Sequence, residues 1–149
     1  VMVSVGDGLT FTVKVVVIPM VQIPIGLFKA TFTAGIGAVV TNYYPLNGYL
    51  LDSTESRVQC HLQAGTFRRL KVHLAYISTD AAVDVILRRN GADTILACVS
   101  MASANDYEDT GDVSVAETDH LDFMVVLDNL TGVGTGSFFA TITAWFEPS

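Results

Sequence analysis

Apolar and polar residues alternate with a period of two along most of this chain. Nowhere do apolar positions recur at i, i+3, i+4 and i+7 for long enough to make an amphipathic helix. The alternating runs are rich in Val, Ile, Thr and Phe, whose branched or planar side chains suit a pleated surface. They predict strands over 9–18, 27–33, 36–44, 56–62, 68–77, 83–89, 93–100, 112–116, 121–128 and 136–146. Between the runs fall residues that favour turns: Gly35 and Gly37, Pro45 to Gly48, Gly65, Asn90-Gly91, Asn105 to Gly111, Glu117 to Asp119, and Gly132, Gly134 and Gly136. A turn signal about every ten residues is the rhythm of an antiparallel jelly-roll or β-sandwich, so the expected fold class is all-β.

The same alternation assigns faces. In "DVILRRNGADTILAC" (84–98) the Asn90-Gly91 pair separates two apolar runs, and both residues tolerate positive φ, so a two-residue type I′ hairpin follows. Its ladder pairs Arg89 with Ala92, Arg88 with Asp93, Ile86 with Ile95, Val85 with Leu96, Asp84 with Ala97 and Val83 with Cys98. Arg88 and Asp93 then make a cross-strand ion pair worth about 0.2–1 kcal/mol. In the closing run "GSFFATITAWFEP" (136–148), Phe138, Ala140, Ile142, Ala144 and Phe146 share one face. Ser137, Phe139, Thr141, Thr143 and Trp145 share the other. A strand with aromatics on both faces is either central and covered twice or buried in a subunit interface.

The opening "VMVSVGDGLTFTVKVVVIPMVQIPIGLF" is apolar but lacks a basic leader, and Pro19 and Pro24 interrupt it before it could span a membrane. Up to residue 26 it holds two prolines and one aromatic, Phe11. Residues 1–26 are therefore expected to form an extended N-terminal arm or edge strand, and 27–149 a single sandwich domain. The residues expected to meet a neighbouring subunit are Phe11, Val15, Val17, Ile18, Ile23 and Ile25 of the arm, with Phe139 and Trp145 of the closing strand.

Composition sharpens that expectation. Half of the 149 residues are hydrophobic, enough for one core without metal or disulfide support. Only 15% are charged, against about 25% in an average soluble domain, which favours apolar surface hidden in a partner. The net charge of −7 does not supply the basic footprint that phosphate binding needs, so no nucleic-acid partner is expected. Cys60 and Cys98 match no zinc or redox spacing and read as buried free thiols, with a disulfide between them as the alternative.

No catalytic, cofactor or metal site is expected. The acidic loop "NDYEDTGD" offers Asp106, Glu108, Asp109 and Asp112, oxygen donors that calcium favours, but its spacing is not that of an EF-hand, and it reads as a solvated turn. Glu117, Asp119 and Asp122 in "ETDHLD" read the same way. His61, His73 and His120 make no ligand spacing and are expected in the core or an interface. No nucleophile elbow occurs, and "TGVGTGS" (131–137) lacks the Lys and helix of a phosphate loop.

Five stretches, "NYYPLNGY", "AGTFRRLKVHLAYIS", "VDVILRRNGADTILACVSM", "GDVSVAETDHLDFMVVL" and "GSFFATITAWFE", follow one another in an order that resembles small β-rich structural proteins of tailed bacteriophages and environmental viral sequences. The positions that carry the resemblance are Gly65, Leu70, Val72, Leu74, Arg88, Asn90, Gly91, Thr94, Val113, Ser114, Val115 and Asp119, over roughly two thirds of the chain. Glu117 departs from the Gly usual before the acidic turn residue, and residues 1–26 have no counterpart. The resemblance implies a jelly-roll serving as a virion structural component: a capsid decoration (cement) protein, or part of a tail or fibre. The expected partners are further copies of the chain, a trimer being favoured, and a major capsid protein or other virion protein. Two alternatives stand beside it. One is a carbohydrate- or receptor-binding module using Tyr43, Tyr44, Tyr49, Tyr76, Tyr107 and Trp145. The other is an extracellular filament subunit whose residues 1–26 act as a donor strand.

Overall fold

A computed structural model describes residues 2–5, 9–12, 21–33, 39–46, 52–77, 81–129 and 135–149. Eleven strands are found among them: β1 (Met2–Val5), β2 (Leu9–Thr12), β3 (Val21–Thr33), β4 (Val39–Tyr44), β5 (Gly65–Ile77), β6 (Ala81–Arg89), β7 (Ala92–Met101), β8 (Asn105–Asp109), β9 (Val113–Val115), β10 (Leu121–Asn129) and β11 (Thr135–Pro148). One 3-10 turn, η1 (Glu55–Arg57), lies between β4 and β5.

β1 and β2 pair with each other. The remaining strands form a four-stranded sheet in the order β4-β10-β6-β7 and a five-stranded sheet in the order β3-β11-β5-β8, with β9 continuing the β8 edge of β5. Every pairing is antiparallel. One buried apolar cluster joins the two sheets. Phe67, Leu70, Val72 and Leu74 of β5 and the Phe138–Phe146 face of β11 meet Val83, Val85 and Leu87 of β6 and Phe123, Val125 and Leu127 of β10. The fold is an all-β sandwich.

The closing strand behaves as its alternation predicts. Phe138, Ala140, Ile142, Ala144 and Phe146 are buried, and Phe139, Thr141, Thr143 and Trp145 are half-buried on the other face. β11 is central in its sheet, between β3 and β5. Gly65 opens β5 for a steric reason: a Cβ there would lie 2.4 Å from Phe146 Cζ and 2.5 Å from the Glu147 carbonyl, where no side chain fits.

Three expectations need correction. The run 56–62 is not a strand: it begins in η1, and only Cys60 makes a bridge, to Leu121. The acidic stretch 105–109 is a strand, β8, and not a solvated loop. In the 84–98 hairpin, Asn90 (φ 54°) and Gly91 (φ 78°) make the expected turn, and Arg89 pairs with Ala92 and Arg88 with Asp93. Beyond that the register slips, so that Ile86 faces Ala97 and Val85 faces Cys98. The extra β7 residues bulge, and side-chain oxygens fill the broken ladder. Thr94 Oγ1 donates to the Leu87 carbonyl at 2.7 Å, Asp109 accepts from the Ala97 N–H at 2.8 Å, and Asp84 accepts from the Ser100 N–H at 2.7 Å. Bulges of this kind on an edge strand make it a poor template for further strand pairing.

β3 runs through residue 26 and pairs along β11, so Val21–Gly26 lie in the outermost strand of the five-stranded sheet. Pro24 suits an edge, where its missing N–H costs no ladder bond.

Candidate functional site

The turn motifs that are separate in sequence meet at one end of the sandwich. Asn90 of the hairpin donates from Nδ2 to Asp119 Oδ1 at 2.6 Å and accepts from the His120 N–H at 2.9 Å, while its own N–H reaches the His120 carbonyl at 2.8 Å. Asp119 Oδ2 caps the Ala116 N–H at 2.8 Å, and that bond, followed by the one from Asn90, holds its carboxyl below the usual range. Arg89 donates to the Ser114 carbonyl at 2.6 Å. Arg89, Asn90, Ser114, Asp119 and His120 are thus parts of one clamp.

Beside the clamp, on the outer face of the four-stranded sheet, lies a covered polar cluster. Pleating sends Leu121 and Phe123 of β10 inward and Asp122 outward, directly opposite Arg88 of β6. Arg88 forks onto Glu55 of η1, Nε to Oε1 at 2.9 Å and Nη2 to Oε2 at 3.3 Å. It also pairs with Asp93 and donates to the Gly91 carbonyl. The Tyr43 ring lies 5.9 Å from the guanidinium. The Arg88 side chain is 12% exposed and Glu55 20%, so the pair predicted from sequence is real but belongs to a larger, half-dry network.

Asp122 is the unexpected member. It is fully buried, and neither carboxylate oxygen has a hydrogen-bond partner. Burial, then the charge of Glu55, pushes its carboxyl up to about 7, against the opposing charge of Arg88. The expectation of a solvated acidic turn fails for Asp122 because residues 52–60 fold over it.

A groove of about 430 Å³ opens next to the hairpin tip, lined by Arg89, Asp93, Thr94, Ile95, Asp112 and Ser114 among others. Its charges are already committed: Arg89 to Ser114, Asp93 to Arg88, and Asp112 to Arg68. Ile95, 73% exposed, is its apolar wall.

The outer face of the five-stranded sheet is open. Arg69 lies 5.2 Å from the Trp145 ring and 3.0 Å from Glu108; Lys71 and His73 both pair with Asp106, at 2.9 and 2.6 Å. Lys71, then His73, holds the Asp106 carboxyl below its usual range. Phe139 meets Tyr76 edge-on at 6.0 Å. Of the residues expected at an interface, Phe139 and Trp145 share this face. Phe11 lies in β2, and Ile23 and Ile25 lie in β3, with Ile23 in register with Ala144. Val15, Val17 and Ile18 fall outside the described residues.

The remaining candidates disperse. Asp106, Glu108, Asp109 and Asp112 are each taken by a cation or a backbone N–H, and among the described residues no three ligating side chains converge on a metal position. His61, His73 and His120 are all exposed, not core residues; His61 and His120 meet edge-on at 4.5 Å. Cys60 and Cys98 are free thiols, and burial pushes Cys98 up to about 12. As for the tyrosines, Tyr44 is buried, Tyr43 lies under Arg88, and the Tyr107 hydroxyl is tied to Ser103. Tyr76 remains exposed, and Tyr49 falls outside the described residues. Among the described residues no helix is long and apolar enough to cross a membrane. No protein-family model matches the chain, and no curated protein matches it.

Proposed function

We propose that this chain is a virion structural protein: a trimeric capsid decoration or cement subunit that stabilises the shell by non-covalent contact with the major capsid protein or another virion protein. The observation that carries the reading is strand order. From β3 to β11 the chain crosses between β3-β11-β5-β8 and β4-β10-β6-β7 at every connection except β6 to β7 and β8 to β9. We read this as the two interleaved Greek keys of a jelly roll, an architecture used by capsid and lectin domains. The role is non-enzymatic, set on the capsid surface, with proteins as partners and neither nucleic acid nor membrane.

The outer face of the five-stranded sheet suits a subunit contact. Its aromatics are half-exposed, and among the described side chains Arg69 and Lys71 are each paired with an acid, so a partner can cover these pairs without stranding either cation. The β3 edge beside it offers backbone groups for strand addition.

Mass measurement across a dilution series, followed by electron microscopy of the native assembly, tests the reading. A trimer that Trp145→Ala with Phe139→Ala dissociates, and that sits on capsids, supports it; a monomer that ignores shells sinks it. Deleting residues 1–26 without effect on oligomer or capsid binding removes the arm from the mechanism. The half-exposed Trp145, Phe139 and Tyr76 favour a second reading, a carbohydrate- or receptor-binding module of a tail or fibre. A glycan-array signal abolished by Trp145→Ala selects it. Filaments built through β3 select the extracellular alternative.

A further inference from the structure

Residues 52–60 form a strap across one end of the outer face of the four-stranded sheet. Backbone bonds fix both of its ends. Tyr43 and Asp52 exchange bonds of 2.8 and 3.1 Å, and Cys60 and Leu121 exchange bonds of 2.9 and 2.8 Å. Its middle is anchored by side chains, through the fork of Arg88 onto Glu55. Beneath the middle lies Asp122, buried and without a hydrogen bond to either oxygen.

Three carboxylates, Glu55, Asp93 and Asp122, gather round one guanidinium, so full ionisation leaves two negative charges in excess. Glu55 and Asp93 both accept hydrogen bonds from Arg88. Asp122, opposite Arg88 in the ladder and fully buried, accepts none.

We propose that Asp122 is a proton-operated latch for this strap. Protonated, it lies neutral beside Glu55 and the strap closes. Ionised, it repels Glu55 and draws in water, so the middle of the strap lifts while its bridged ends hold. The groups around Asp122 are Glu55, Gln59 and Cys60 from the strap and Arg88 from β6, with Asp93, Tyr43 and Met124 in contact with Arg88. Asp52 and Arg57 pair with each other on the strap, and His61, His120 and Asp119 meet at its exit.

The sign follows from linkage. With the strap closed, the Asp122 carboxyl sits at about 7; lifted into water it returns to about 4. The lifted state therefore binds fewer protons in that window. Opening should rise up to tenfold per pH unit from about pH 4 to about pH 7 and level off above.

Hydrogen exchange of the amides in 54–60, followed by mass spectrometry from about pH 5 to about pH 8 in the wild type and in Asp122→Asn, reads this directly, because intrinsic exchange cancels in their ratio. The expected ratio climbs at least about tenfold by pH 7 and then flattens. A ratio independent of pH overturns the latch, as does a pH dependence that His61→Gln removes while Asp122 is intact. If the Asn variant does not fold, carboxyl NMR of aspartate-labelled wild type decides. One aspartate titrating near 7 supports the proposal, and all aspartates titrating below about 5 ends it.

Discussion

The outer faces of the two sheets are made from the same kinds of residue and finished in opposite ways. On the four-stranded sheet Arg88, Glu55 and Asp122 are pressed beneath a strap, and Asp122 retains no accessible surface. On the five-stranded sheet Arg69, Lys71, His73, Asp106 and Glu108 pair in the open, with side chains 38 to 58% exposed. What these ion pairs do differs, because water sets the strength of each contact. The covered cluster is committed to the fold, and the open pairs stay in water.

The largest expected effect breaks the covered face. Arg88→Ala removes the one cation that pairs with Glu55 among the described residues and leaves two carboxylates beside each other under the strap, a change that costs about 3–5 kcal/mol in buried networks. Urea unfolding near pH 7 should show the midpoint fall with the slope retained. Arg88→Lys should recover only part of the loss, because one ammonium cannot fork onto both Glu55 oxygens. A loss below about 1 kcal/mol would mean that the strap does not exclude water and that the two faces are alike.

Asp122→Asn is expected to change stability in the other direction. A carboxyl whose folded value is raised contributes stability that is complete below its unfolded value and is lost as pH rises through the folded value, here from about 4 to about 7. The uncharged variant escapes that loss. At about pH 8 it should be more stable than the wild type by on the order of 2 kcal/mol, about half of the full linkage, since the strap can relax. Near pH 4 the two should coincide. Equal stabilities at both pH values would remove Asp122 from the comparison.

How much of this was legible in sequence depends on how local its cause is. The two faces of β11 follow from alternation alone, and the Asn90-Gly91 turn follows from backbone freedom. Gly65 registers in sequence as a breaker, but its reason sits across the sheet in Phe146 and Glu147. The β7 register was unreadable because its bulges are held by Asp84 and Asp109, oxygens on other strands. "SRVQCHL" alternates like a strand, but the only sheet pairing it makes is the Cys60–Leu121 bridge. "NDYED" looked like a loop because its charges answer Arg69, Lys71 and His73, on a strand distant in sequence. The burial of Asp122 is hidden for the same reason: nothing near it in sequence announces that residues 52–60 will cover it.

A smaller effect probes the rim of the covered cluster. Asp93 touches the same guanidinium as Glu55 but is 52% exposed, so Asp93→Ala leaves Arg88 with its fork intact and should cost about 0.2–1 kcal/mol. A double cycle with Glu55→Gln would measure how far the two acids share one cation. Strong coupling would extend the covered region to the hairpin tip; additivity would confine it to the strap.

The smallest effect belongs to the open face. Lys71 pairs with Asp106 at 2.9 Å, but both side chains are well exposed, and His73 remains on Asp106 when the lysine is removed. Lys71→Ala should therefore leave the unfolding midpoint unchanged at low and high salt alike. Its effect should appear instead in assembly. If a partner covers Phe139 and Trp145, the same partner desolvates Asp106, and a carboxylate that has lost its lysine then weakens association. A variant neutral in unfolding but defective in oligomer formation would mark this face as the one kept for contact. A variant that unfolds as readily as Asp93→Ala would show that the open face, too, is spent on the fold.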